Sequence, residues 1–367
     1  MGEFPPELLF EILLRLPPED LLRCLCVSKA WNTTIHDKNF IKSHLQRSIQ
    51  TNSFGSLFVS ATFSCKKCLF KFSDIYNDGT RERAMKMEQP PLQDAESQTP
   101  FPSTLVSSNG IICIRTERDE DEDFVLWNPS IRKFKKIPSP TFEQSPSSDK
   151  HMYLGYGFGY DSTNDDYKLL GITNFNMAMH QYQIYSLKSN SWRKIRNMPC
   201  DEFHMIVSRI LFSNGALSWL TQNMLDIKMH VVTFELASKK YHWFPTPVDE
   251  NVHIEVLGDS LCIFRLRTID AWIMKERGSW TLPYSIEQAA MSWVSWWEPV
   301  LLSKNGGSVL LMNDLQKFAW FDLVKNSWKE VETAGLYLHF IYTICMRSLC
   351  LLDGDPIIVE SNKSLSL

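Results

Sequence analysis

Few residues of this 367-residue chain have the types and spacing that chemistry demands. Cys65 and Cys68 form a C-x-x-C pair. A tetrahedral zinc site needs four ligands, and no second pair or His-x-x-x-His follows at finger spacing, so the two thiols read as packing or turn residues. The run Glu117 to Asp123 offers carboxylates but not the alternating ligands and central glycine of a calcium loop, and reads as a solvated loop. Gly155, Gly157 and Gly159 alternate within a strand-like stretch and open no helix, so they do not cradle a phosphate. No Gly-x-Ser-x-Gly occurs, and the nine histidines form no cluster along the chain. No metal, cofactor or catalytic set is expected.

Composition narrows the partners. With 44% hydrophobic and 22% charged residues the chain is that of a folded protein, and its length suggests two units. A net charge of −4 supplies no global positive field, which argues against nucleic acid. The longest apolar stretch, Leu336 to Leu352, is broken by His339 and Arg347, so no membrane span is expected. Glu3 and Glu7 stand where a secretory signal would carry basic residues. The expected location is therefore the cytoplasm or nucleus, with the nine cysteines reduced.

Residues 1–48 read as helical. Leu8, Leu9, Ile12, Leu13 and Leu16 recur at helical spacing behind Pro5 and Pro6, and Pro17 and Pro18 stop that helix and seed a second through Leu21, Leu22, Leu25 and Val27. Ser28 is placed to cap a third through Trp31 and Ile35. So small a unit cannot hide all of these side chains by itself. Either they dock on the rest of the chain or they leave an apolar face for another protein.

The order of residues from Phe4 to Ile41, FPPELLFEILLRLPPEDLLRCLCVSKAWNTTIHDKNFI, resembles an F-box, the module that attaches substrate receptors to the Skp adaptor of SCF-type ubiquitin ligases. Phe4 departs from the leucine more usual before the proline. Carried onto matching positions, the resemblance implies that Pro5, Leu8, Ile12, Leu13, Leu16, Leu25, Val27 and Trp31 form the adaptor face or its immediate support.

From about residue 54 the pattern turns to period two, and one element repeats. An aromatic ends a strand and a second follows seven residues later: Trp127 with Phe134, Tyr185 with Trp192, Phe234 with Tyr241, Phe321 with Trp328, and Trp272 with Trp280 with one residue more. Upstream lies a second hairpin, marked by Asn109-Gly110, Asn214-Gly215, Gly258-Asp259 and Asn305-Gly306, dipeptides suited to tight turns. Successive second aromatics stand 58, 49, 39 and 48 residues apart, about the length of a kelch-type propeller blade. Tryptophans are then expected to fill the wedges between blades. Phe54 to Tyr76 and Leu336 to Leu352, two strands' worth each, are expected to combine in a sixth blade that closes the ring.

The stretches Leu126-Trp127-Asn128-Pro129-Ser130, Gly157-Phe158-Gly159-Tyr160-Asp161 and Ala319-Trp320-Phe321-Asp322-Leu323 resemble the F-box-associated domain of plant F-box proteins, a family that includes the S-locus F-box proteins. The expected fold is mainly β: a three-helix F-box over 1–48 and a six-bladed kelch-like β-propeller over 49–367. The resemblance implies a non-catalytic receptor that reaches cullin and RING subunits through the Skp adaptor and holds a protein target, an S-locus ribonuclease being one possible class. A ligase-independent scaffold and a propeller enzyme are the alternatives. Long connections on one face of the ring are the expected target site, with Asp119, Glu120, Asp121, His180, Trp293 and Trp296 as candidate contacts.

Overall fold

The computed structural model describes residues 5–51, 53–63, 66–73, 85–87, 102–118, 121–143, 153–176, 179–196, 204–206, 208–223, 227–249, 252–258, 260–265, 270–285, 297–313, 317–331 and 337–352. The chain opens with helices α1 (Pro6–Leu13), α2 (Pro18–Cys24), α3 (Lys29–His36) and α4 (Lys38–Gln50). Prolines sit in the first turns of α1 and α2, where a missing N–H costs nothing. Ser28 caps α3 by accepting from the Trp31 amide at 3.2 Å. The three-helix expectation is corrected to four. The Asp37 carboxylate accepts from the Asn39 and Phe40 amides and so caps α4. Phe40, Ile41, His44, Leu45 and Ser48 bury one side of that helix, which runs past the expected division at residue 48.

Three strands follow, β1 (Gly55–Phe63), β2 (Lys66–Ser73) and β3 (Met85–Met87). The first blade is β4 (Pro102–Ser108), β5 (Ile111–Arg118), β6 (Asp121–Asn128) and β7 (Lys133–Ile137). The second is β8 (Tyr153–Asp161), β9 (Asp166–Asn176), β10 (Met179–Ser186) and β11 (Ser191–Ile195). In the third, β12 (His204–Ile206) and β13 (Leu211–Ser213) share the place of one strand beside β14 (Ala216–Asn223), followed by β15 (Met229–Glu235) and β16 (Tyr241–Pro245). The fourth is β17 (Val252–Leu257), β18 (Ser260–Arg265), β19 (Asp270–Glu276) and β20 (Ser279–Ser285), and the fifth β21 (Trp297–Leu302), β22 (Ser308–Asn313), β23 (Phe318–Asp322) and β24 (Ser327–Glu330). A last strand, β25 (Tyr337–Met346), pairs with β1.

The ring thus has five blades, each folded from one continuous run of chain, and the expected sixth blade is corrected. What closes the ring is a composite sheet in the order β25-β1-β2-β3, one strand from the carboxyl side and three from the amino side, where two and two were expected. Leu336 to Leu352 yields one strand because its second half pairs with side chains instead of a neighbouring ladder, as described below. The first strands of neighbouring blades meet at the axis, β4 with β8 and β17 with β21, while β25 lies beside β4.

The aromatic repeat is a set of cross-strand pairs. Trp127 faces Phe134, Tyr185 faces Trp192, Phe234 faces Tyr241 and Phe321 faces Trp328. The first member of each pair is buried, and all the second members except the half-buried Trp192 are exposed, so the repeat anchors each hairpin through one ring. The extra residue between Trp272 and Trp280 appears as a register shift between β19 and β20. Tryptophan serves the core unevenly: Trp127, Trp219, Trp297 and Trp320 are buried, whereas Trp328 stands exposed. Gly157 lets two blades meet, since a Cβ there would lie 2.3 Å from Ile210 Cγ2. Cys65 lies outside the described residues, and Cys68 pairs with Ala61 in the β1–β2 ladder.

Beyond β25, residues 347–352 run as a strap between the ring and the helices. The Asn128 side-chain amide, fully buried, donates to the carbonyls of Ser348 (3.1 Å) and Cys350 (2.9 Å), while its oxygen accepts from the Ser130 amide. Ser348 Oγ donates to the Asn109 carbonyl at 2.9 Å. Gly110, at φ +82°, leaves room for the strap, because a Cβ there would stand 2.0 Å from that same Oγ. Leu349 and the turn residue Ile131 then join Leu9, Leu13, Leu14, Leu21, Ile35, Phe40 and Ile41 in one apolar cluster. Arg347 with Glu19 (3.3 Å) and Lys42 with Asp165 (3.0 Å) pair across the same boundary. Helices and ring therefore share a core.

Asn128→Ala removes the donor to one buried and one partly buried carbonyl and should cost about 2–4 kcal/mol. Urea unfolding read by tryptophan fluorescence checks it.

Candidate functional site

The helical segment divides its apolar residues between two jobs. Leu9 and Leu13 lie four apart on the side of α1 that faces the shared core, and both are buried. Leu8 and Ile12, also four apart, form the neighbouring stripe and are 53% and 44% exposed. Pro5 continues that stripe at the solvent surface, and Val27, after α2, is 59% exposed. Leu16, Leu25 and Trp31 are half-buried against the cluster. Of the eight residues singled out for adaptor contact, four are therefore bare, three are partly covered, and Leu13 is wholly internal. His44 lies beneath them: its ring stacks on Phe54, Nε2 donates to the Leu16 carbonyl at 2.8 Å, and burial lowers its basicity.

The helices occupy one end of the ring. Their contacts Ile131 and Asp165 belong to the tight turns β6–β7 and β8–β9, and in antiparallel blades the long connections emerge at the other end. Two stretches expected among the long connections, Thr116 to Asp123 and Asn174 to His180, are drawn largely into the sheets. Backbone pairing carries β5 and β6 out to Arg118 opposite Asp121, with Glu117 opposite Glu122, so the acidic run is chiefly a hairpin where a loop was expected. Likewise β9 and β10 extend to Asn176 opposite Met179. His180 sits in that second hairpin opposite Asn174, half-buried, with its ring across the edge of Tyr182. Asp121 and His180 thus belong to different blades, the first and the second. Asp119, Glu120, Trp293 and Trp296 lie outside the described residues.

Sequence reasoning missed a polar cluster on the axis. Between β12 and β13 the innermost strand of the third blade is interrupted, and the break turns Arg209 inward. Ser208 stabilises the break: its Oγ accepts from the Leu220 amide (2.8 Å) and donates to the Arg209 carbonyl. Arg209 Nη2 donates to Glu255 Oε2 (2.6 Å) and to the Tyr342 hydroxyl (2.8 Å), and that hydroxyl donates to the same carboxylate oxygen at 3.2 Å. The guanidinium carbon stands 4.5 Å from the centre of the Tyr342 ring. His253 lies between two carboxylates, 3.9 Å from Glu255 and 3.8 Å from Glu298. Burial raises the Glu255 pKa, but the Arg209 charge and the His253 contact outweigh it and hold the carboxyl below its ordinary value. A signal was available in the sequence: a lone glutamate at the centre of the apolar strand Val252–Leu257.

Among the described residues no group of three potential ligands could hold a metal ion, and no helix is long and apolar enough to cross a membrane.

Comparison with known proteins matches this architecture. Residues 1–43 match the F-box domain, and residues 66–350 match the F-box associated beta propeller domain. The second match spans most of the chain, which belongs to that family and is an F-box substrate-recognition protein. It is 27% identical to F-box protein CPR1 of Arabidopsis thaliana over 88% of this chain and 83% of the relative. It is 26% identical to the F-box/kelch-repeat protein At3g23880 of the same plant, over 91% and 94%. Among solved structures, TolB from Acinetobacter baumannii is similar with a TM-score of 0.51 at 10% identity, over 84% of this chain and 73% of TolB, a likeness of fold alone.

Because Glu255 is held acidic in the folded state, its contribution to stability is intact above about pH 4.3 and is lost as the pH falls below that value. Glu255→Gln should therefore be less stable at neutral pH yet decline less steeply into acid. Urea midpoints measured at a series of pH values check this, and parallel curves would contradict it.

Proposed function

We propose that this chain is the substrate-recognition subunit of an SCF-type ubiquitin ligase. The observation that carries the reading is the bare stripe of Leu8 and Ile12 on a helix whose other stripe is already consumed by the protein's own core. Two large aliphatic residues four apart, beside the exposed Pro5 and Val27, suit another protein's apolar groove. A Skp-family adaptor would cover them and bring cullin and RING subunits with it. The half-buried Leu16, Leu25 and Trp31 and the buried Leu13 would hold that face in shape.

The ring would carry the target, an S-locus ribonuclease or a protein of another class, and the chain would perform no chemistry itself. Tethering raises the effective concentration of target lysines near the conjugating enzyme. Such work would place the chain in the cytoplasm or nucleus. The end bearing the long connections, with Asp119, Glu120, Asp121, His180, Trp293 and Trp296, is the surface to test for target contact.

The double variant Leu8→Asp/Ile12→Asp should lose co-purification with a Skp adaptor while its unfolding free energy stays within about 1 kcal/mol of the parent, since neither residue is buried. Unchanged adaptor binding would favour a ligase-independent scaffold. Leu13→Ala should behave in the opposite way, costing about 2–5 kcal/mol of stability by leaving a cavity in the shared core. Calorimetry and pull-down on the same preparations separate the two effects.

A further inference from the structure

The Arg209 cluster forms one wall of a cavity of about 340 Å³ on the axis of the ring. Apolar side chains make up much of the remaining wall, among them Phe158, Ile210, Leu301 and Ile344. Gly258, Lys304 and Gly306 contribute from the turns at the end of the ring that also carries the helices. A Cβ added at Gly258 or Gly306 would meet nothing within 4 Å, so the mouth is open on the fourth and fifth blades. The helices are seated elsewhere, over the turns of the first and second. The volume is that of a site for a small organic molecule or for the last residue or two of a peptide.

The polar groups select among such ligands. Glu255 has no oxygen to spare: Oε2 accepts from Arg209 and Tyr342, and Oε1 from the Val256 amide. The Ser303 hydroxyl is likewise engaged, with Asn305 and the Ser308 amide. The charged functions left over are donors. Arg209, with 40% of its side chain exposed, uses only Nη2, so Nε and Nη1 take no partner among the described residues. Lys304 makes no ion pair among the described residues and stands exposed. A ligand must therefore bring acceptors, and the apolar wall asks for an apolar body behind them. Both two-pronged edges of a guanidinium include Nη2, which is taken, so the free Nη1 and Nε offer a carboxylate single charge-assisted hydrogen bonds. Glu255 and Tyr342 already hold that guanidinium in place, so little freedom is lost on binding.

We propose that the axial pocket binds a carboxylate carried on an apolar body, with Arg209 gripping the carboxylate and Lys304 adding charge at the mouth. A free organic acid and the C-terminal residue of a polypeptide present the same chemistry. The pocket is independent of adaptor binding, and its test uses this chain alone, so failure here leaves the adaptor reading untouched.

The test is isothermal titration of the purified full chain with 3-phenylpropanoate and with the peptide Gly-Gly-Ala-Leu, each beside its neutral counterpart, 3-phenylpropanol and the peptide amide. At least one carboxylate should bind, and its counterpart should be about tenfold weaker or worse, as expected for loss of a charged hydrogen bond. Binding of the acid alone assigns the pocket to a small molecule, and tighter binding of the peptide assigns it to a polypeptide end. Arg209→Gln/Glu255→Gln removes both charges together and should weaken binding by a similar factor. Lys304→Ser, at an exposed turn, leaves the fold intact and should weaken it about threefold, as expected for a solvent-exposed charge. The proposal is overturned if neither carboxylate binds, if the neutral compounds bind equally well, or if Lys304→Ser and a folded double variant bind like the parent.

Discussion

One buried side-chain amide, that of Asn128, ties the first blade to the strap beyond the last strand. It holds the backbone of the strap at Ser348 and Cys350, just beyond the strand that completes the composite sheet. A propeller closed by distant parts of its own sequence must bring them together against loop entropy, and here the contacts that do so are buried polar bonds with defined geometry. Leu349 then extends from the strap into the helical cluster. The strap that follows the closing strand thus also takes part in docking the helices.

That arrangement explains how so small a helical unit stays folded with apolar residues uncovered. Isolated helices of two or three turns are marginal in water. Borrowing Ile131 and Leu349 from the ring completes a core around Leu9, Leu13 and Phe40, so Leu8 and Ile12 are not needed for it. At the axis the logic is similar. Arg209 is held in one place at the axis because Glu255 and Tyr342 meet it there, and the interrupted strand that delivers it is itself satisfied by Ser208.

Much of the architecture could be read from residue patterns. The aromatics seven apart mark hairpins because residues so spaced become direct cross-strand partners around a short turn, as Trp127 and Phe134 do. Helices α1 to α3 announced themselves through proline pairs and a serine cap. Helix α4 did not, because Lys38, Asn39 and Lys42 interrupt its apolar pattern and its burial comes from tertiary contacts. The strap reads as strand because Leu349 and Leu351 alternate and nothing in the pattern reveals that Asn128, more than two hundred residues away, claims the backbone there. The acidic hairpin escaped for a related reason: ladder pairing is a property of the backbone, and it carries β5 and β6 through a run of charges whose composition suggests a loop. The axial pocket stayed hidden because its residues come from strands scattered over the whole chain, and only the ring gathers them.

A shared core between helices and ring also sets a mechanical property. An arm mounted through Leu13, Leu349 and two flanking ion pairs resists bending at its root, so under the proposed function anything held on the ring would be presented at one bearing instead of being swept through an arc. In that role the choice of modified lysine would follow from the pose of the cargo, and a lysine on its far flank would stay out of range however long the complex lasts.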